Sequence, residues 1–278
     1  MFRETDAAAM SAPPPAEVWS NVKLLDRQSE RDHRELRIDK VGVRGLRFPI
    51  LIRDKAHRVQ NTIATIGMYV DLPKEFKGTH MSRFLEVLNA HGNMVHVENI
   101  PDILHAMQRR LHAQTAHLEM EFPFFLEKHA PVSRMTGLMD YTARFDATAS
   151  GRAIDFVLTV VAGVTTLCPC SKAISRYGAH NQRGLVTVQT RSRKSIWIED
   201  LIALTERSAS SGLYSLLKRQ DEKAVTERAY DNPVFVEDLV RNVALHLNAH
   251  PDVLWYKVEA ENFESIHSHN AYACIEKR

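Results

Sequence analysis

Two cysteines separated by a single proline, Cys168-Pro169-Cys170, are followed by Ser171-Lys172 and then by Tyr177-Gly178-Ala179-His180-Asn181-Gln182-Arg183. A thiolate and an imidazole this close in sequence are good ligands for a borderline-soft divalent ion such as zinc. Cysteine is also among the residues most often buried, so Cys-Pro-Cys alone suits packing as well as chemistry. The polar, glycine-containing turn around His180 is a poor place for core filler and favours chemistry. A second concentration runs Glu259-Ala260-Glu261-Asn262-Phe263-Glu264-Ser265-Ile266-His267-Ser268-His269-Asn270. If that stretch is extended, His267 and His269 project to the same side. Imidazoles beside carboxylates suit proton transfer or metal binding near neutral pH, although a solvated hairpin loop has a similar composition.

Other segments say less by themselves. Lys218-Arg219-Gln220-Asp221-Glu222-Lys223 reads as a solvated connector between helices. Glu237 falls early in a helix, where the helix dipole favours a carboxylate for purely structural reasons. Cys274 lies in the last strand and reads as core. Thr79-His80-Met81-Ser82-Arg83 opens a helix and could meet an anion or serve as a cap. No P-loop, dinucleotide-binding glycine pattern or zinc-finger spacing occurs.

The elements that must position these groups follow from periodicity. Strands are expected over Val41 to Arg53 and Thr62 to Val70. A helix carries Met81, Phe84, Leu85 and Leu88 on one side. A second follows Asn99, with Pro101 in its first turn and Ile103, Leu104, Met107 and Leu111 on one face. Strands return over Leu118 to Leu126 and Met135 to Phe145. The second half repeats the order: strands Phe156 to Val164 and Leu185 to Arg191, then a helix over Ile198 to Thr205. A further helix lies behind Asn232-Pro233, with Asn232 as its expected cap, and strands run Val253 to Glu261 and Ala271 to Glu276. Strand-strand-helix-helix-strand-strand, stated twice, implies an α+β protein of two tandem units, with an antiparallel sheet and helices packed on one face. Residues 1–20, with Ala7-Ala8-Ala9 and Pro13-Pro14-Pro15, read as a flexible tail. The first unit spans 21–149 and the second, which carries most of the reactive side chains, spans 150–278.

With 44% hydrophobic and 25% charged residues, the 278-residue chain has ordinary globular composition. A formal charge of +2 gives no overall footprint for nucleic acid, so an anionic ligand needs a local cluster of cations. No apolar run reaches the roughly 18 residues of a membrane span, and the first residues lack an apolar export segment. Three cysteines, two of them one residue apart, argue against a disulfide framework and for a reducing cytoplasm.

The motif Leu167-Cys168-Pro169-Cys170-Ser171-Lys172 with Tyr177 to Arg183 resembles the signature of prokaryotic GTP cyclohydrolase I of type IB. Phe263-Glu264-Ser265-Ile266-His267, Pro233-Val234-Phe235-Val236-Glu237-Asp238 and Gly78-Thr79-His80-Met81-Ser82-Arg83-Phe84 resemble further motifs of that family, in order along nearly the whole chain. The resemblance implies the tunnelling fold, two ββααββ units per chain and a homotetramer. It implies metal-dependent hydrolysis of GTP to formate and 7,8-dihydroneopterin triphosphate, the entry to tetrahydrofolate synthesis. By motif position, Cys168, His180 and Glu222 would be metal ligands, for zinc or else manganese or iron. Cys170 would be a catalytic thiol, His267 an active-site histidine and Glu237 the anchor of the guanine edge. Lys172 or Arg183 would meet the triphosphate. Two rivals stand beside this reading: an NADPH-dependent nitrile reductase of deazaguanine synthesis with the same fold, and a non-enzymatic metal-binding protein with four structural ligands.

Overall fold

The computed structural model describes residues 25–55, 58–92 and 97–277; the expected tail at 1–20 lies outside them. β1 (Ile38–Arg53), β2 (Val59–Leu72), α1 (Ser82–Ala90), α2 (Ile100–Leu111), β3 (Thr115–His129) and β4 (Thr136–Ser150) make the first half. The second half begins with β5 (Ala153–Leu167), α3 (Pro169–Ile174), β6 (Asn181–Ser192), α4 (Ile198–Ser208) and the two-residue β7 (Ser211–Gly212). It ends with α5 (Arg219–Asp231), α6 (Val236–Ala249), β8 (Val253–Asn262) and β9 (Ala271–Glu276).

All strands pair antiparallel in one sheet of order β1-β2-β3-β4-β5-β6-β8-β9, with β7 beside β5. β1–β2, β3–β4, β4–β5 and β8–β9 pair through short connections, whereas β2–β3 and β6–β8 pair across the helices between them. The two repeats meet at the β4–β5 hairpin, where Gly151 takes the positive φ that the tight turn demands. The sheet runs on across that junction, so the repeats share one structure.

Period-two burial decides which side of each strand faces the helices. Ala116, Leu118, Met120, Phe122 and Phe124 of β3 are buried, as are Leu158, Val160, Ala162 and Val164 of β5. The apolar stripe of α2 (Ile103, Leu104, Met107) and that of α6 (Leu239, Val240, Val243, Leu247) close over this face. Across the repeats, Lys128 Nζ of β3 donates to Glu206 Oε1 of α4 at 2.6 Å, and Tyr141 Oη of β4 donates to the same oxygen at 2.8 Å. Burial holds the Lys128 ammonium below its ordinary pKa, against the pull of Glu206, and burial together with Glu206 raises the Tyr141 phenol.

The structure departs from the periodicity in four places. The charge run Lys218–Lys223 is no connector, for Arg219 begins the 13-residue helix α5. This helix shows little apolar stripe because Asp221 anchors it. The fully buried Asp221 carboxylate accepts from Val132 N, Ser133 N and Ser133 Oγ, at 2.8, 2.8 and 2.6 Å, and from Lys218 N at 2.9 Å. Asn232 does not cap α6; Phe235 holds that position, and Asn232 ends α5 and donates to Ala209 O at 2.9 Å. The segment after Cys168 coils into the short helix α3, with Cys168 at its N-cap. Cys274 lies on the outer face of β9 and is exposed, because Ala271, Ala273 and Ile275 take the inward phase of that strand.

Candidate functional site

At one end of the sheet, the inward faces of three adjacent strands turn from apolar to polar. β5 ends Ala162, Val164, Thr166; β6 begins Gln182, Gly184, Val186; β8 ends Val258, Ala260, Asn262. The register sets Thr166 opposite Gln182 and Gly184 opposite Asn262. Buried polar side chains at core positions need partners, and here they find one another and the site. Gln182 Nε2 donates to Thr166 Oγ1 at 2.9 Å, and Gln182 Oε1 stands 2.9 Å from His180 Nδ1. With Gln182 as acceptor, the proton of His180 sits on Nδ1, which leaves the Nε2 lone pair for another ligand.

Backbone hydrogen bonds gather the remaining segments over this polar end. Cys168 N donates to His180 O at 3.1 Å, Val234 N to Leu167 O at 3.1 Å, and Phe263 N to Arg183 O at 2.9 Å. Leu167 N also donates to Ser210 Oγ at 3.0 Å. The start of α3, the start of β6, the approach to α6 and the β8–β9 turn therefore meet in one place. Cys168 Sγ accepts from Ser171 N at 3.4 Å, which holds the side chain at the start of α3.

A pocket of about 260 Å³ opens there, lined by Cys168, His180, Glu237, Asn262, Glu264 and His267, with Gln182 and His269 among its other walls. Glu264 Oε2 lies 3.7 Å from His180 Nδ1, and both side chains are largely covered. The rings of His180 and His267 meet edge to face at 6.4 Å between centroids, and His267 stacks on His269 at 5.2 Å. The two rings come together through a bend in the chain, not through the extended conformation on which the sequence reading depended.

The sequence-based candidates divide accordingly. Cys168, His180, Glu237 and His267 line one pocket. Cys170 is exposed on α3, two residues from Cys168, and is not part of the lining. Glu222 is exposed on α5 and likewise lies outside the lining. Among the described residues, no three His, Cys, Asp or Glu side chains are grouped as a ready ligand set. Lys172 points its ammonium at Tyr230, donating to the backbone carbonyl with the ring 4.2 Å away, and so ties α3 to α5. Arg183 is exposed. Periodicity had not singled out Gln182, Asn262 or Glu264. The signal for the first two was a polar residue in the inward phase of an apolar strand.

A family model described as type I GTP cyclohydrolase folE2 matches residues 24–273. The chain is 60% identical over 258 residues to the GTP cyclohydrolase FolE2 of Akkermansia muciniphila, covering 92% of this chain and 98% of that relative. It is 57% identical over 261 residues to the GTP cyclohydrolase FolE2 of Citrifermentans bemidjiense, covering 94% and 97%. Among solved structures, uricase from Arthrobacter globiformis superposes with a TM-score of 0.50 at 10% identity, over 86% of this chain and 92% of that one. At that identity the likeness concerns the fold alone.

Proposed function

The chain belongs to the type I GTP cyclohydrolase FolE2 family, and from that premise we propose that its pocket hydrolyses GTP at guanine C8. The products are formate and 7,8-dihydroneopterin triphosphate, at the first step of tetrahydrofolate synthesis. The observation that carries the reading is the meeting of Cys168, His180, Glu237, Glu264 and His267 around one cavity, in a chain matched to the family over 24–273.

Glu237 lies in the first turn of α6, just after Val236. Its carboxylate accepts from the guanine N1–H and 2-amino group, and a base lacking those donors leaves the charge without partners. His267, held against His269, moves the proton that a ring nitrogen takes as the imidazole portion opens. The Cys170 thiol, exposed beside the pocket, serves the same proton traffic. A second hydrolytic step releases formate, and the opened ribose rearranges and recloses to the pterin ring.

The donor chemistry suits a divalent ion, zinc or else manganese or iron: a Cys168 thiolate, a His180 imidazole with Nε2 unclaimed by Gln182, and a carboxylate. When bound, such an ion supplies Lewis acidity that brings the pKa of a water down toward about 7. Cys168 and His180 would hold it. Glu222 is the third ligand implied by family resemblance, while Glu264 is the carboxylate that stands beside His180. Metal content of Glu222→Gln and Glu264→Gln separates the two.

A homotetramer is supported by exposed apolar side chains on the very segments that form the site, Ile174, Tyr177, Phe235, Phe263 and Ile266. The outer strands β1 and β9, each paired on one side only among the described residues, add to that support. No described helix is long and apolar enough to cross a membrane. The dependence of the chemistry on free thiols favours a reducing cytoplasm. The test is incubation of metal-stripped protein with GTP, ions being added back singly, with formate release and pterin fluorescence after oxidation as readouts. No pterin with any ion refutes the proposal.

A further inference from the structure

β8 directs Val258, Ala260 and Asn262 to the core face in strict alternation, and the first two are fully packed. Asn262 therefore stands where the strand calls for an apolar side chain, and it is only 2% exposed. Four buried side-chain oxygens lack a hydrogen-bond partner among the described residues: Thr190 Oγ1, Glu199 Oε2, Thr205 Oγ1 and Asn262 Oδ1. Of these residues, only Asn262 lines the pocket that holds Cys168, His180 and Glu237. Its polar neighbours on the same face, Thr166 and Gln182, are already joined to each other and to His180.

The opposite strand makes room for this oxygen. Gly184 pairs with Asn262 across β6 and β8, and a Cβ on residue 184 would stand 2.6 Å from Asn262 Oδ1. Any side chain at 184 would push the carboxamide away. A buried acceptor left without a donor costs free energy, so the site keeps Asn262 at the expense of the free protein. Glu237 and Glu264 in the same pocket are carboxylates. A carboxamide oxygen can accept from the substrate without adding charge near a triphosphate.

We propose that Asn262 is a substrate-contacting residue: its carboxamide, lodged against Gly184 in the free protein, turns toward the pocket so that Oδ1 accepts a hydrogen bond from the 2-amino group or a ribose hydroxyl of bound GTP. The inference rests on the GTP reading given above. Asn262→Leu removes the acceptor while keeping the same number of side-chain heavy atoms in the same branched shape. Steady-state kinetics of this variant show KM for GTP raised by roughly three- to tenfold, the worth of one neutral hydrogen bond. The substrate-free variant melts at or above the wild-type temperature, because the unpaired acceptor is gone. A lower melting temperature with unchanged KM assigns Asn262 to the fold and overturns the proposal. Should the leucine variant not fold, Gly184→Ala keeps the carboxamide but displaces it. Raised KM supports the contact and unchanged KM overturns it.

Substrate analogues identify the donor. Read as the inhibition constant of each analogue against GTP turnover, the penalty of Asn262→Leu disappears on whichever of 2′-deoxyGTP, 3′-deoxyGTP and ITP lacks the group that meets Oδ1. A penalty undiminished on all three overturns the contact. Wild-type protein that does not turn over GTP instead overturns the cyclohydrolase reading itself.

Discussion

Replacing Gln182 with leucine removes the link between the sheet and His180 while keeping the volume. In the wild type, Gln182 donates to Thr166 Oγ1 at 2.9 Å and accepts from His180 Nδ1 at 2.9 Å, and both Gln182 and Thr166 are buried. Leucine offers neither function. The Thr166 hydroxyl loses its Gln182 contact, and the His180 N–H must turn to Glu264, now 3.7 Å away, or to solvent. An unmet buried polar group costs about 1–3 kcal/mol, so the ring rotates or changes tautomer before it accepts that cost. Either movement takes Nε2 out of the position that the Gln182 contact gives it. Loss of such a supporting hydrogen bond lowers metal affinity by about 10- to 100-fold, equivalent to about 1.4–2.7 kcal/mol. Competition with a chromophoric chelator for zinc at neutral pH measures this directly. Imidazole 15N shifts report the tautomer of His180 in the metal-free protein. Gln182→Glu keeps an acceptor toward His180 and can accept from the Thr166 hydroxyl, so it retains more affinity than leucine. Thr166→Val leaves the glutamine in place but unanchored and falls between leucine and wild type. Wild-type zinc affinity and an unchanged tautomer in Gln182→Leu would show that the relay does not orient His180.

Cys168→Ala loses bound metal and GTP turnover together, whereas Cys170→Ala loses turnover and retains metal; equal metal loss, measured by elemental analysis, ends that division of labour. Glu206→Gln leaves the half-buried Lys128 ammonium without its countercharge, and denaturant unfolding then shows a loss of about 3 kcal/mol. The pair Lys128→Met with Glu206→Gln recovers part of that loss, and strict additivity contradicts the coupling. For Asp221, burial raises the carboxyl pKa, but hydrogen bonds from Ser133, Lys218 and Val132 outweigh it and hold it below the ordinary 3.8. A depressed folded-state pKa gives stability that is present above the unfolded value and lost as pH falls below it. Unfolding midpoints followed from about pH 5 to pH 3 should therefore fall more steeply for wild type than for Asp221→Asn; parallel acid limbs reject the role of Asp221.

Period-two burial in β3 and β5 and the helical stripes of α2 and α6 are properties of neighbouring residues, and the sequence alone determined them. The strands run two to five residues beyond their apolar centres at several ends, as in β4 (Thr136–Ser150) and β5 (Ala153–Leu167), because ladder hydrogen bonds continue where apolar composition stops. The segments holding Cys168, His180 and His267 were legible as chemistry from residue type and spacing. Helix α5 was not legible. Its anchor is Asp221, whose partners Val132 and Ser133 stand 89 and 88 residues away in the chain. The same holds for the polar floor of the pocket: Thr166 and Gln182 are 16 residues apart, and Gly184 faces Asn262 only because β6 pairs with β8. Periodicity reports which side of its own strand a residue occupies. Which polar side chains then meet, and which oxygen is left without a donor, is decided by the register between strands distant in sequence, and only the folded sheet supplies it.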